Sequence, residues 1–286
     1  MKNRKILCVG EVLWDSLPAG MFPGGAPFNA ACHLHGMGED VAMVSRIGDD
    51  ENGRGILAEM EKRNMNTRFL QKDETRPTGL VSVRIDDWGN PSYNIVNPSA
   101  WDFIEAEKEL LELAAESSVI VYGSLAQRNR KSRETINKLL DIVPLRVFDV
   151  NLRAPYDDPK IVRESLMKSV IAKLNETEFY RIAAWFGLPE VIRTGAEKIS
   201  EVFGCKTVCI TRGENGAALW HKGEWTEHPG FSVAVKDTVG AGDAFLAAFI
   251  QSVLDGRDSM SILERSNRAG SFVAGCTGAI PVIDNL

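Results

Sequence analysis

The sequence has little of what marks membrane or nucleic-acid-binding proteins. Positive charge is not in excess, because 33 Lys and Arg stand against 39 Asp and Glu, which gives a formal net charge of −6. An acidic chain has no general attraction for nucleic acid or for an anionic membrane surface, so neither is expected as a partner. The longest apolar-rich run, from Ala244 to Leu254, is well short of the about 20 residues that a membrane-spanning helix needs.

Cysteine is also scarce and follows no metal-binding pattern. The five cysteines are odd in number and include no Cys-x-x-Cys pair, so we expect free, mostly buried thiols. The apolar stretch before Gly10 is too short for the core of a signal peptide, and a cytoplasmic location is expected. His33 and His35 lie in a predicted helix, where we expect them at the surface or behind a site rather than as a pair of metal ligands.

What the chain does have is an alternation of strand-like and helix-like segments. Lys5–Val9 and Val41–Ile47 are typical of short buried strands, whereas Phe28–Met37 and Pro159–Ala172 are typical of helices. Such alternation indicates an α/β fold with a mainly parallel sheet covered on both faces by helices. Since no repeat, low-complexity tract or linker interrupts it, the sequence predicts one domain over residues 1–286.

Two segments, Glu11–Phe22 and Pro77–Val96, do not fit this alternation. In the second, Leu80–Ile85 alternates polar and apolar residues with period two, residues 86–90 are typical of a turn, and Ser92–Val96 is a return strand. A hairpin is not stable alone in water. We therefore expect an extra β layer that packs on the main body, on a partner subunit or on both.

The most informative stretch is Asp237-Thr238-Val239-Gly240-Ala241-Gly242-Asp243, which precedes a helix-forming run. The helix is expected to begin near Gly242, and the glycines leave no side chain between backbone amides and a ligand. Unpaired N–H groups and the helix dipole favour a phosphate there. Asp243, at the edge of this cradle, is suited to accept the proton of an attacking hydroxyl. The alternative is that Asp243 is an ordinary helix cap and the glycines an ordinary turn.

A second glycine motif, Gly24-Gly25-Ala26-Pro27-Phe28-Asn29, lies between a strand-like segment and a predicted helix. Paired glycines permit close approach of the backbone to a ligand, and the amide of Asn29 offers a donor and an acceptor to hydroxyl groups. The alternative is a plain loop with an asparagine near the helix cap.

Together, the two motifs resemble the signatures of the ribokinase-like family of sugar kinases, also called the PfkB carbohydrate kinase family. The resemblance implies a three-layer ribokinase-like fold with a small β-sheet lid near residues 11–22 and 77–98. It implies ATP-dependent phosphorylation of a sugar hydroxyl, with Asp243 as the general base and the backbone of Gly240–Gly242 as the anion hole. A homodimer formed through the lid is also implied.

The resemblance extends to residues outside the two motifs. The start of the chain resembles the family's first strand and its substrate-binding aspartate, which falls on Asp15, and Gly25 and Asn29 match sugar-contacting positions. Asn175 and Glu178 match an Asn-x-x-Glu segment that helps to hold Mg²⁺ near the phosphates. The residues expected on the nucleotide side are Asn175, Thr211, Gly213, Gly216 and Asn267.

A potassium ion beside the anion hole is a further implication. Asp237 would help to ligate it, together with carbonyl groups from Gly275 to Gly278. The alternative is that Asp237 caps the preceding turn.

The resemblance also gives some indication of which sugar is the acceptor. Gly-Gly-Ala-Pro in the early loop is similar to bacterial fructokinases, so fructose is the expected acceptor, although Phe28 replaces a smaller residue and could narrow the pocket. Arg128 and Arg153 could bind a sugar phosphate, or they could pair with acidic neighbours, which we favour. The alternatives are a kinase for another sugar, a sugar acid or a nucleoside, and a sugar- or nucleotide-sensing protein with negligible turnover.

Overall fold

The computed structural model describes residues 4–17, 20–85 and 91–283, and arranges their strands in two sheets. The strands in chain order are β1 (Lys5–Val9), β2 (Leu13–Leu17), β3 (Gly20–Gly24), β4 (Asp40–Gly48), β5 (Leu70–Asp73), β6 (Gly79–Ile85), β7 (Pro91–Ile95), β8 (Val119–Gly123), β9 (Leu145–Asp149), β10 (Ile171–Asn175), β11 (Thr207–Thr211), β12 (Ala217–His221) and β13 (Glu224–His228). The large sheet has the order β13-β12-β11-β10-β9-β8-β1-β4-β5, and the small sheet has the order β3-β2-β6-β7. From β5 to β11 the large sheet is parallel, and β12 and β13 extend it antiparallel.

Helices cover both faces of the large sheet. They are α1 (Ala26–Gly36), α2 (Glu51–Lys62), α3 (Lys108–Glu116), α4 (Arg130–Ile142), α5 (Pro159–Lys168), α6 (Glu176–Phe186), α7 (Ile192–Phe203), α8 (Ala241–Leu254) and α9 (Ser259–Ala274). In β1, Ile6 and Cys8 belong to a core with residues of α1, α2, α8 and α9, whereas Leu7 and Val9 belong to a core with residues of α3 to α7. Alternate residues of a strand point to opposite faces. The predicted α/β architecture of helix, sheet and helix layers is therefore confirmed.

One predicted helix was wrong at its C-terminal end. Pro159–Ala172 was expected to be helical throughout, but α5 ends at Lys168 and Ile171 begins β10. Ser169 ends the helix, since its side-chain hydroxyl donates to the carbonyl oxygen of Leu166. The strand that follows is buried over its first four residues, and such a short apolar run cannot be distinguished from a helix by periodicity.

The small sheet corresponds to the two segments that broke the alternation. β2 pairs antiparallel with β3 and parallel with β6, and β6 pairs antiparallel with β7. The hairpin and its return strand are thus confirmed, while the turn predicted at residues 86–90 lies outside the described residues. This sheet packs on the main body through a small apolar cluster composed of Leu13, Val81, Ile95, Trp101 and Leu125.

A buried ion pair joins the small sheet to the body. Arg128 Nη2 lies 2.7 Å from Asp102 Oδ2, and both side chains are almost wholly buried. The same nitrogen donates to the carbonyl oxygen of Val96, just after β7, at 2.6 Å. The guanidinium also lies 4.0 Å above the ring of Trp101. Of the two alternatives for Arg128, the structure shows the pair with an acidic neighbour.

The free cysteines agree with expectation, since four are buried and Cys276 is partly exposed. Among the described residues, no helix combines the length and apolar character needed to cross a bilayer. Nor do three His, Cys, Asp or Glu side chains of that part of the chain gather in a group able to hold a metal ion.

We predict that Arg128→Ala lowers the free energy of unfolding by about 3–5 kcal/mol, because the carboxylate of Asp102 is left buried and unpaired. Urea denaturation followed by circular dichroism measures the change. The matched control is Arg130→Ala, which removes an exposed arginine two residues away that pairs with Glu134. Equal denaturation midpoints for the two variants would contradict a structural role for the buried pair.

Candidate active site

The turn before α8 brings backbone amides to the carboxyl edge of the large sheet. Gly240 caps the helix with a φ of 79°, a left-handed conformation that glycine adopts without strain. A Cβ atom on Gly240 would overlap the carbonyl oxygen of Ala279. The position therefore requires glycine for two independent reasons, and the helix begins at Ala241, one residue earlier than predicted.

Two amides of this turn are free to bind an anion. Ala241 N–H donates to the Thr238 carbonyl at 3.3 Å, and Asp243 N–H donates to the Gly240 carbonyl at 3.1 Å. Within the described part of the chain, the N–H groups of Gly240 and Gly242 have no acceptor. Free N–H groups at a helix N-terminus favour negative charge. The sequence indicated a row of amides here, and the structure leaves those of the two glycines available.

The side chain of Asp243 does not cap α8. It makes no capping hydrogen bond to the helix, and its Oδ2 accepts from Asn29 Nδ2 at 2.8 Å. Burial raises the pKa of Asp243 to about 6 and the negative charge of Asp149 adds to the shift, against the opposing effects of Lys173 and Asn29. A partly exposed carboxylate with this pKa is ionised at neutral pH and is a stronger base than an ordinary aspartate.

A buried lysine lies beneath the same turn. Lys173 Nζ donates to Asp149 Oδ1 at 3.0 Å, and a Cβ built on Gly242 would lie 3.4 Å from that nitrogen. Burial acts to lower the pKa of Lys173, but the carboxylates of Asp149, Glu178 and Asp243 outweigh it and raise the pKa. The sequence reasoning missed Lys173 and Asp149. The available signal was that each polar residue lies near the carboxyl end of a parallel strand, where ligands bind in α/β sheets.

The segment 11–29 contributes two further carboxyl groups, those of Glu11 and Asp15. Asp15 lies in β2, which Trp14 anchors by donating its indole N–H to the Asn52 carbonyl at 2.9 Å. Burial raises the pKa of Asp15 to about 6 and that of Glu11 to about 7. The positive charge of Arg153 opposes the shift at both residues and at Asp243, so one guanidinium acts on all three carboxyls.

Gly25 and Asn29 are both placed by α1. A Cβ on Gly25, which caps the helix with a φ of 105°, would lie 2.5 Å from the Glu11 carbonyl oxygen. Asn29 is 4% exposed, and its Oδ1 has no hydrogen-bond partner among the described residues. Phe28 is wholly buried in the core of the main body.

The Asn-x-x-Glu segment forms a capping box at the start of α6. Asn175 Oδ1 accepts from Glu178 N–H at 2.9 Å, and Glu178 Oε2 accepts from Asn175 N–H at 2.8 Å. Glu178 Oε1 accepts from the amide of Leu152, next to Arg153. Burial raises the pKa of Glu178, and the charge of Lys173 opposes this. Both residues therefore stand at the sheet edge that carries Lys173.

The predicted nucleotide residues lie further along this edge. Thr211 ends β11, and Gly213 opens the turn that Gly216 closes. A Cβ on Gly216 would overlap the carbonyl oxygen of His228. Asn267, in α9, lies with its Nδ2 3.4 Å from His228 Nδ1, so the turn and α9 meet at this histidine.

Asp237 holds the segment before the anion-binding turn. Its Oδ1 accepts from Val239 N–H at 3.0 Å, and its Oδ2 accepts from Gly278 N–H at 3.4 Å. The side chain caps the turn, as the alternative predicted, and it also connects that turn to the segment that contains Ala279.

A carboxylate base beside free amides at a helix N-terminus is an arrangement suited to phosphoryl transfer to a hydroxyl. A family model described as pfkB family carbohydrate kinase matches residues 18–286. The chain belongs to the pfkB family of carbohydrate kinases. The predicted family is thereby confirmed, and the enzyme is a phosphotransferase with a carbohydrate hydroxyl as acceptor.

Relatives of this carbohydrate kinase agree in sequence and fold. A fructokinase of Klebsiella pneumoniae is 29% identical over 263 residues, covering 87% of this chain and 84% of that protein. The structure of an uncharacterized sugar kinase from Pyrococcus horikoshii in complex with ATP matches with a TM-score of 0.83 at 27% identity, covering 96% of this chain and 93% of that one. A fructokinase from Xylella fastidiosa with bound ATP has a TM-score of 0.84 at 19% identity, covering 98% and 95%, and shows the same ribokinase-like fold.

We predict that kcat/KM of this kinase for its sugar falls as the pH is lowered through about 6, because the general-base role expected of Asp243 requires the carboxylate form. Below that pH the fall is about tenfold per unit for one group, and steeper if Asp15 must also be ionised. Initial rates of ADP formation from pH 5 to 8 measure the profile. The pKa of Asp243 is raised in the folded state, so protonation of this group stabilises the folded protein. Titration of Asp243 therefore cannot cause unfolding near pH 5, and a loss of activity there would not be explained in that way. A rate that stays constant down to pH 5 would contradict the assignment.

Proposed function

We propose that the chain transfers the γ-phosphoryl group of ATP to a hydroxyl of a monosaccharide, with fructose as the preferred acceptor. The observation that carries the proposal is the position of the Asp243 carboxylate beside the free amides of Gly240 and Gly242. The resemblance of the Gly-Gly-Ala-Pro loop to fructokinases and the fructokinase of Klebsiella pneumoniae among the relatives support fructose. We also propose that residues 1–286 form a single kinase domain.

In the proposed reaction, Asp243 takes the proton of the sugar hydroxyl as the oxygen attacks the γ-phosphorus. The bond between that phosphorus and the oxygen bridging to the β-phosphate breaks, and ADP leaves with the electron pair. General-base assistance of this kind is worth about 10²–10⁴ in rate. The amides of Gly240 and Gly242 would stabilise the developing charge, with Ala241 completing the turn, and one such donor can be worth about 10²–10³.

The sugar would lie against residues of the segment 11–29, which contains Asp15, Gly25 and Asn29. Asp15 and the backbone of Gly25 would bind its hydroxyl groups, and the unpartnered Oδ1 of Asn29 is available as a further acceptor. Because Phe28 is buried in the core, its ring is not placed to narrow the pocket, which removes the objection to fructose drawn from that substitution.

A second candidate is an acceptor that carries a carboxylate or a phosphate. It is favoured by Arg153, which is exposed and makes no ion pair in the part of the chain that the structure describes. The sequence favours pairing of Arg153 with acidic neighbours, but residues 4–17, 20–85 and 91–283 contain no such pair. A sugar acid or a sugar phosphate would supply the missing anion.

On the nucleotide side, Thr211, Gly213, Gly216 and Asn267 would contact ATP. Magnesium, when bound, neutralises charge on the phosphates and keeps several waters. Asn175 and Glu178 would hold it through water, which fits oxygens that already accept backbone N–H groups.

A potassium ion beside the anion-binding turn is a further part of the proposal. A double mutant of a fructokinase from Vibrio cholerae has been solved with fructose, ADP and a potassium ion. Here Asp237 and carbonyl groups from Gly275 to Gly278 would hold such an ion beside the anion-binding turn.

We propose a homodimer through the small sheet, whose outer strands β3 and β7 each have one unpaired edge among the described residues.

We predict that fructose gives the highest kcat/KM in a panel with glucose, ribose, adenosine, fructose 6-phosphate and 2-keto-3-deoxygluconate. ADP release from Mg-ATP in a coupled assay measures it. Higher kcat/KM with an anionic acceptor would favour the second candidate. If no panel member stimulates ADP release, the sensing alternative is preferred.

We predict that Asp243→Asn lowers kcat by at least about a hundredfold while Mg-ATP binding persists, because the amide keeps the size of the side chain but cannot accept the proton. Single-turnover kinetics and calorimetric titration separate the two effects. Asp141→Asn, which changes an exposed aspartate far from α8, serves as the control. Near-normal turnover of the Asp243 variant would remove this residue from the mechanism.

A further inference from the structure

Helix α1 carries two buried polar side chains that lie one helical turn apart. Asn29 and His33 are each 4% exposed, and residues four apart stand on the same helix face. Asn29 donates to Asp243, and His33 Nε2 lies 3.0 Å from the carbonyl oxygen of Ala279. Two bonds from one helix face therefore reach two different parts of the catalytic region.

The partner of His33 is the residue that supports the anion-binding turn. The space where a Cβ of Gly240 would stand is occupied by the carbonyl oxygen, Cα and Cβ of Ala279. Ala279 thus touches the glycine whose amide is free. Asp237, before the turn, accepts from Gly278 N–H on the same segment. A shift of Ala279 would leave Gly240 without the surface that it packs against.

His33 is able to hold this contact as a hydrogen-bond donor. A carbonyl oxygen can only accept, so the proton of the neutral ring must lie on Nε2. Burial lowers the pKa of His33 to about 4, so the ring stays neutral throughout the range in which Asp243 works as a base.

We propose that His33 is a positioning residue for phosphoryl transfer: its bond to Ala279 holds Gly240 in place, while Asn29 on the same helix face holds the base. This inference rests on the proposed function. Helix α1 then sets the distance between the proton acceptor and the amides that bind the transferring group. Displacement of such groups by about 1 Å can cost up to about 10² in rate.

The kinetic test compares His33→Leu with a matched control on the same helix. His35 Nε2 lies 3.0 Å from the Arg63 carbonyl oxygen, so His35→Leu removes an equivalent bond that does not involve Ala279. We expect His33→Leu to lower kcat by about tenfold or more, with sugar KM changed less than about threefold. His33→Gln, whose amide can donate to the same carbonyl, should recover most of kcat.

A second measurement does not depend on turnover or on the leucine variant folding. In the ¹⁵N-labelled full chain, the His33 ring should show the Nε2–H tautomer, and its resonances should shift on addition of Mg-ADP with aluminium fluoride. Equal losses in both leucine variants, a change in KM alone, or a silent His33 resonance would each overturn the proposal. Absence of sugar-dependent turnover in the unaltered protein would instead reject the proposed function, and the resonance shift would then test only whether His33 is coupled to occupation of the anion-binding turn.

Discussion

The structure depends on the close approach of Gly240 to Ala279. There is no room for a Cβ between them, and because Gly240 has none, the chain can bend into a left-handed turn directly against the segment that contains Ala279. That bend leaves the amides of both glycines without acceptors among the described residues at the start of α8. The helix itself is anchored in the core by apolar residues such as Phe245 and Phe249, so the free amides at its start are held in a fixed position. Rigid placement matters here, since electrostatic stabilisation of a transition state requires donors that do not reorganise.

A balance of charges makes the carboxylate beside this turn useful. Burial and Asp149 raise the pKa of Asp243, while Lys173 restrains the rise. Without the ammonium, a partly buried carboxylate among other carboxylates would tend to be protonated and could not accept a proton. With the ammonium alone, the carboxylate would be a weak base. A pKa of about 6 lies between these limits, so that the group is ionised at neutral pH yet still basic.

The parts of this arrangement that could be predicted from the sequence are local ones. The glycines and Asp243 stand together in the chain, as do Gly25 and Asn29, and no Pro or Gly interrupts α8 between Ala244 and Leu254. The missed parts depend on long-range register. Lys173 meets Asp149 because the two are paired residues on neighbouring strands β9 and β10. The first two residues of β10, Ile171 and Ala172, were themselves mistaken for the end of a helix. Pattern within a segment gives no information on which residue of another strand lies opposite.

The charges around Arg153 bear on the proposal of a neutral rather than an anionic acceptor. This guanidinium makes no ion pair within the described ranges, which by itself invites an anion. Yet its charge acts on three carboxyls, Glu11, Asp15 and Asp243. Burial raises the pKa of Asp15 and Asp243 only to about 6 and that of Glu11 to about 7, so these carboxyls keep much of their negative charge at neutral pH. An incoming carboxylate or phosphate would gain one positive neighbour but face a larger negative charge, whereas the hydroxyls of a neutral sugar can donate to the carboxylates and accept from Arg153. These charges are consistent with the proposed neutral sugar as acceptor.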